Sequence, residues 1–140
     1  MEYNEVKQNL LKCPEITSLD EHSTSALFWH GSEETLQEGA VIYEDGASLD
    51  DTFCALLSGS LIVEKAGQPV GQITGNQIFG EMAYFTRAHS RTATVRVSSP
   101  EASVLRVKLS RSELDAPRFS ALRKYLGLEA WDRFVSSSQS

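Results

Sequence analysis

Residues 35–75 read TLQEGAVIYEDGASLDDTFCALLSGSLIVEKAGQPVGQITG. Apolar runs of four to eight residues alternate there with turn residues, and Gly39, Gly46, Gly59, Gly67 and Gly75 punctuate them. Strand-sized runs with turn signals about every ten residues predict a sandwich or barrel of short strands rather than βαβ units. The rhythm breaks at residues 79–87 and returns in RTATVRV (91–97) and SVLRVKL (103–109). Outside this block the period turns helical. Val6, Leu10 and Leu11 share one face of a helix over 3–11 that Pro14 ends, and a short helical piece is expected at 25–29. Ser110 and Glu113 have capping-box spacing, and Pro117 suits the first turn of a helix carrying Phe119, Leu122 and Leu126. Gly127 is a stop, and Leu128, Trp131 and Phe134 form a last stripe.

The chain has 140 residues, 41% of them hydrophobic and 23% charged, which is ordinary globular composition and excludes a largely disordered chain. The expected organisation is a single domain: an N-terminal helical segment over 1–32, a β-barrel over 33–109 interrupted at 79–92, and C-terminal helices over 110–135. Lys and Arg number 13 against 19 Asp and Glu, a net charge of −6. That balance excludes a grip on a nucleic-acid backbone as the main activity. Cys13 and Cys54 are too few for a disulfide framework or a zinc site. Cys54 reads as a small core residue. The start, MEYNEVKQNLLKC, lacks the basic and apolar stretches of a signal peptide, and no apolar run approaches the ~20 residues of a membrane span. A cytoplasmic protein without membrane association is expected.

The chemistry concentrates in FGEMAYFTRAHSRTATVRV, residues 79–97. A short helix beginning at Gly80 would present peptide N–H groups with no helical partners, a natural seat for phosphate. Ala93, Val95 and Val97 alternate with polar residues, so Arg91 has inward parity. A guanidinium facing a β core is costly unless an anion satisfies it, and its fork matches phosphate oxygens. Glu81 stands where it can accept hydrogen bonds from a sugar hydroxyl. This set suits one negative charge attached to ribose. A triphosphate would need a metal ligand or a Gly-x-x-x-x-Gly-Lys loop, and neither is present. The plainer alternative pairs Arg91 with Glu81 as a structural ion pair.

Phe79-Gly80-Glu81-Met82-Ala83 followed by Arg91-Thr92-Ala93-Thr94-Val95 resembles the phosphate-binding cassette of cyclic nucleotide-binding domains, with Glu81-to-Arg91 spacing like that of the bacterial catabolite-activator branch. The resemblance extends over roughly residues 33–115, and Ser90 stands where many members have proline. It implies a mainly β fold with flanking helices: an eight-stranded antiparallel jelly-roll barrel with a short cassette helix, N-terminal helices and a C-terminal helical lid. It also implies that Arg91 binds the cyclic phosphate, with the amides of Gly80, Met82 and Ala83 sharing it. Glu81 would take the ribose 2′-hydroxyl, Thr92 would add a hydroxyl, and Val63, Val70, Gly71 and Ile73 would wall the base. The implied function is sensing rather than catalysis, with no cofactor and no metal. Cyclic AMP is favoured by the spacing, while Thr92 leaves cyclic GMP open. Output would pass through helices 110–134 to an effector protein or into self-association, since no helix-turn-helix follows in this chain. The alternative is a scaffold of the same family that has lost its ligand.

Other residues have bland readings. His22, His30 and His89 lack the clustering of a cupin metal site, and the acidic run 45–51 is expected to be a solvated turn without calcium-loop spacing. Tyr125, Trp131 and Phe134 either cover the base or pack the last helix on the barrel.

Overall fold

The computed structural model describes residue 27 and residues 29–75, 77–81, 90–120, 122–124 and 126–127. Eight strands occur among them: β1 (Gly31–Gln37), β2 (Val41–Tyr43), β3 (Thr52–Ser58), β4 (Ser60–Lys65), β5 (Gln68–Thr74), β6 (Ile78–Phe79), β7 (Thr94–Val97) and β8 (Glu101–Lys108). They form two four-stranded antiparallel sheets, ordered β1-β8-β3-β6 and β2-β7-β4-β5. Strands that alternate between two facing sheets in this order make a jelly roll.

Within the first sheet, β3 and β8 are buried on both faces. Along β3, Phe53, Ala55 and Leu57 point one way, into a cluster with Leu114, Phe119, Leu122 and Leu126 of the C-terminal segment. Cys54 and Leu56 point the other way, between the sheets, with Leu61, Phe79, Val95 and Val104. Successive side chains in a strand take opposite faces, so a strand covered on both sides reads as an unbroken apolar run. TFCALL is such a run, and all six of its residues are buried. The second sheet lacks that outer cover on its edge strand β5, where Ile73 is the one buried residue.

Helix α1 (Arg111–Leu114) begins at the expected capping box. Glu113 N–H donates to Ser110 Oγ at 3.1 Å, and Ser110 N–H donates to Glu113 Oε1 at 3.1 Å. A single 3-10 turn, Pro117–Phe119, follows with proline in its first turn. Residues 120, 122–124 and 126–127 are helical. Among the described residues no helix is long and apolar enough to cross a membrane.

Two expectations change in detail. The regular part of the strand expected over 91–97 starts only at Thr94, and Arg91 before it bonds to the 46–47 loop instead of to a strand. Phe79, which the sequence placed at the opening of the interruption, pairs with Cys54, and Ile78 with Ala55, as β6. The helical piece expected at 25–29 is helical at residues 27 and 29, with Leu27 buried and Trp29 87% exposed. The helix over 3–11, residues 82–89 of the cassette helix and the 128–134 stripe lie outside the described residues.

The doubly covered strand β3 carries the core, so truncating its central aromatic tests the architecture. Phe53→Ala, at a fully buried position, is expected to lower unfolding free energy by about 3–5 kcal/mol, read by urea denaturation.

Candidate functional site

The two ends of the 80–91 segment meet inside the barrel, and the chain's turns explain how. Gly80 follows β6 with φ of +84°, a left-handed conformation that side-chain-bearing residues rarely adopt. A Cβ there would stand 2.8 Å from Cε2 of Tyr43, so the turn needs glycine for space as well as for its dihedral angle. At the other end, Arg91 N–H donates to the Ala47 carbonyl and Gly46 N–H donates to the Arg91 carbonyl, each at 2.8 Å. A bridge between Ser48 and Ser90 and a bond from Asp45 N–H to Thr94 Oγ1 (3.0 Å) complete the seam. The β2–β3 loop, residues 44–51, thereby fixes where Arg91 leaves the backbone.

Glu81 and Arg91 are the buried charged residues among those described, at 0% and 8% exposure. Nη1 of Arg91 donates to the Gly80 carbonyl at 3.0 Å. Nη2 donates to Asp50 Oδ1 at 2.9 Å and to the Thr52 carbonyl at 2.8 Å, with a longer approach of 3.4 Å to Thr52 Oγ1. Nε is buried without a hydrogen-bond partner among the described residues. The guanidinium also lies over the Tyr43 ring, 3.8 Å from its centroid. The expected inward orientation is therefore present. Asp50 supplies a carboxylate to this guanidinium, a partner additional to the Glu81 that the sequence reading weighed.

Asp50 corrects a second expectation. The acidic run 45–51 is not merely a solvated turn: Asp50 Oδ1 accepts from both Thr52 Oγ1 (2.7 Å) and Arg91, and Oδ2 lies 4.0 Å from Nη1 of Arg106. Burial raises its carboxyl pKa, but the hydrogen bonds from Thr52 and Arg91 and the two guanidinium charges outweigh that and hold it below the usual range. Thr52 spends its single hydroxyl hydrogen on Asp50, so Tyr43 Oη is the donor in its 2.9 Å bond to Thr52 Oγ1. Tyr43 Oη also lies 3.4 Å from Cys54 Sγ. Burial first, and the neighbouring Cys54 second, push the Tyr43 phenol upward, and burial pushes the Cys54 thiol up to about 11. Cys54 is thus the buried, inert residue expected. Arg106 joins from β8 through Nε to the Glu34 carboxylate, 5.3 Å from the Tyr43 ring centroid. Tyr43, Asp50, Thr52 and Arg106 escaped the sequence reading. The inward parity of Arg106 in β8 and the acidic residues before β3 were the signals available.

The remaining expected site residues divide. Val63 pairs with Gly71, and Leu61 with Ile73, which puts all four on one face of β4 and β5. Ile73 is buried there and Val63 packs against the same cluster. Val70 falls at the register shift between Val63 and Glu64 and is 57% exposed. Thr92 is exposed, and Met82 and Ala83 lie outside the described residues, as do His22 and His89. His30 stacks edge-on against Phe119 and lies 3.8 Å from Glu113, in a structural rather than a ligand setting. Among the described residues no group of three metal-ligating side chains forms.

A family model described as the cyclic nucleotide-binding domain matches residues 33–113. The regulatory domain of Toxoplasma gondii PKA, solved with cAMP, superposes with a TM-score of 0.74 at 18% identity, covering 92% of this chain and 49% of that one. The sensor domain of the transcriptional regulator DNR from Pseudomonas aeruginosa gives 0.70 at 17% identity, covering 94% and 91%. The regulatory subunit of a cAMP-independent protein kinase A from Trypanosoma cruzi, bound to guanosine, gives 0.66 at 20%, covering 86% and 42%. This chain spans about half the length of the two kinase regulatory chains. At such identities the likeness establishes fold. No curated protein sequence matches significantly.

The Asp50 network has a signed pH signature. A carboxyl held below its unfolded value of about 3.9 contributes stability that is present above that value and lost as pH falls through the folded pKa. The stability difference between wild type and Asp50→Asn is expected to be present at about pH 7 and to shrink towards about pH 3, read by urea denaturation at each pH. Gly80→Ala is expected to destabilise at all pH values, since the clash with Tyr43 does not titrate.

Proposed function

This chain belongs to the cyclic nucleotide-binding domain family, and from that premise we propose that it is a cytoplasmic regulatory module that senses a 3′,5′-cyclic nucleotide, cyclic AMP ahead of cyclic GMP, and catalyses nothing. The observation that carries the reading is the Arg91 guanidinium. It is 8% exposed, bonded to the Gly80 carbonyl at the opposite end of the cassette, and keeps an Nε–H without a partner among the described residues. Arg91 takes the cyclic phosphate, with the amides of Gly80, Met82 and Ala83 around it. Glu81 takes the ribose hydroxyl, Thr92 contributes a further hydroxyl, and Val63, Val70, Gly71 and Ile73 line the base. The near-exclusion of water from the guanidinium strengthens its attraction for a bound anion.

Sensing requires that ligand favour one conformation over another. Strand β6, immediately before Gly80, offers the route. Phe79 packs between the sheets, edge-on to Tyr43 at 6.0 Å, while Ile78 packs among Leu114, Phe119, Leu122 and Leu126. A ligand that pulls the cassette moves Ile78 against the C-terminal helices, which pass the change to an effector protein or into self-association. Two relatives give this reading support by what they are: a kinase regulatory domain with cAMP and the sensor domain of a transcriptional regulator.

A second reading has its own observation. Both Nη2 hydrogens of Arg91 are committed to Asp50 and Thr52, so its counter-charge is already supplied from within the chain. That favours a scaffold which binds proteins and no nucleotide. Calorimetric titration separates the two. Saturable heat with cyclic AMP, weaker with cyclic GMP and lost in Arg91→Ala by about 2–5 kcal/mol, is the expected result. No heat from either nucleotide establishes the scaffold.

A further inference from the structure

Among the described residues, the aromatic ring that faces Arg91 comes from outside the cassette, on a distant strand. Tyr43 closes β2 and pairs with Val95 of β7, the strand that leads directly out of the 90–93 stretch. That pairing brings the ring under Arg91, with 3.8 Å between Cζ and the ring centroid. The same ring edge occupies the space beside Gly80 that a Cβ would need. Its own orientation is fixed by the hydroxyl bond to Thr52 and by the edge contact with Phe79. One side chain therefore touches both ends of the 80–91 segment. The arginine it supports is also the one whose Nε–H is left without a partner among the described residues, so the ring face, together with three hydrogen-bond acceptors, decides where that N–H points.

We propose that Tyr43 is the positioning residue of this site: its ring face holds the Arg91 guanidinium, and its edge holds the Gly80 turn, in the arrangement that a nucleotide phosphate meets. The inference rests on the reading of Arg91 as the phosphate ligand, and it deepens that reading by making affinity depend on a residue outside the cassette. The face of an aromatic ring attracts a cation through its negative quadrupole, most strongly where water is excluded. The ring is what matters, so phenylalanine suffices.

Two readouts test it. In nitrogen-edited NMR of the full chain, the Arg91 Nε–H resonance is expected to be ring-current shifted in wild type and in Tyr43→Phe, and to lose that shift in Tyr43→Leu. In calorimetry with cyclic AMP, Tyr43→Phe is expected to bind like wild type and Tyr43→Leu about tenfold more weakly. Tyr43→Leu is expected to add no further loss to Arg91→Ala. Should Tyr43→Leu not fold, Tyr43→Phe carrying successive ring fluorines keeps the shape and drains the ring face, and affinity is expected to fall with each fluorine. An Arg91 resonance unmoved by Tyr43→Leu, or affinity indifferent to fluorination, overturns the proposal. Wild type without nucleotide heat, alongside the expected loss of the ring-current shift, overturns the ligand reading and leaves the hold of Tyr43 on Arg91 standing.

Discussion

A guanidinium kept almost entirely out of water sets the terms for this part of the molecule. Arg91 is 8% exposed, and an uncompensated charge at that depth would cost several kcal/mol. Compensation comes from three directions: a carboxylate on the β2–β3 loop, carbonyls of Thr52 and Gly80, and the face of Tyr43. Each partner constrains its own stretch of chain. Asp50 can reach the guanidinium because the 44–51 loop is stitched to residues 90–94 by backbone bonds. Gly80 can offer its carbonyl because a left-handed residue without a Cβ fits beside Tyr43. The conformations of two loops and one strand end thus follow from a single buried charge.

The burial of β3 and β8 on both faces ties that charge to the rest of the fold. Strand β3 is the shared wall. Its odd-numbered residues from Phe53 to Leu57 meet the C-terminal helices, and its even-numbered ones face the barrel interior, where Cys54 touches Tyr43. The short β6 repeats the division over two residues, Ile78 outward and Phe79 inward. Packed interiors behave as close-packed solids with little free volume. On the proposed reading, a displacement at Gly80 would not be absorbed next to its origin, and the adjoining β6 would carry it to Leu114 and Phe119.

Local chemistry made much of this legible from the residues alone. Glycine spacing between apolar runs announced the strands, the Ser110–Glu113 box marked the helix start where it occurs, and parity sent Arg91 inward. What escaped was long-range. Asp50 and Arg91 are far apart in sequence, and nothing in an acidic loop says which of Glu44, Asp45, Asp50 and Asp51 turns inward. Tyr43 reads as one more strand aromatic until β2 is paired with β7. Val70 carried the same apolar signal as Ile73, yet the register shift between Val63 and Glu64 exposes it. A bulge of one residue reverses the side on which a side chain lies, and a single sequence does not display it.

The charges gathered around Tyr43 also bear on what the proposed site would accept. Arg91 and Arg106 are matched by Asp50 and Glu34, and the fully buried Glu81 adds a further carboxylate nearby in the chain. Such a cluster has no surplus of positive charge, so it does not draw in a ligand by net attraction, as the clustered cations of polyphosphate sites do. On the proposed reading, what it would offer is directional: the Arg91 Nε–H, peptide N–H groups at the start of the cassette, and the Glu81 carboxylate for a hydroxyl. Directional donors without excess charge discriminate by shape and by the position of one charge. On the proposed reading, this sets a cyclic phosphodiester, with its single negative charge fixed against the ribose, apart from the open-chain di- and triphosphates, because each further charge on a competitor would have to be desolvated beside carboxylates and without a cation to meet it.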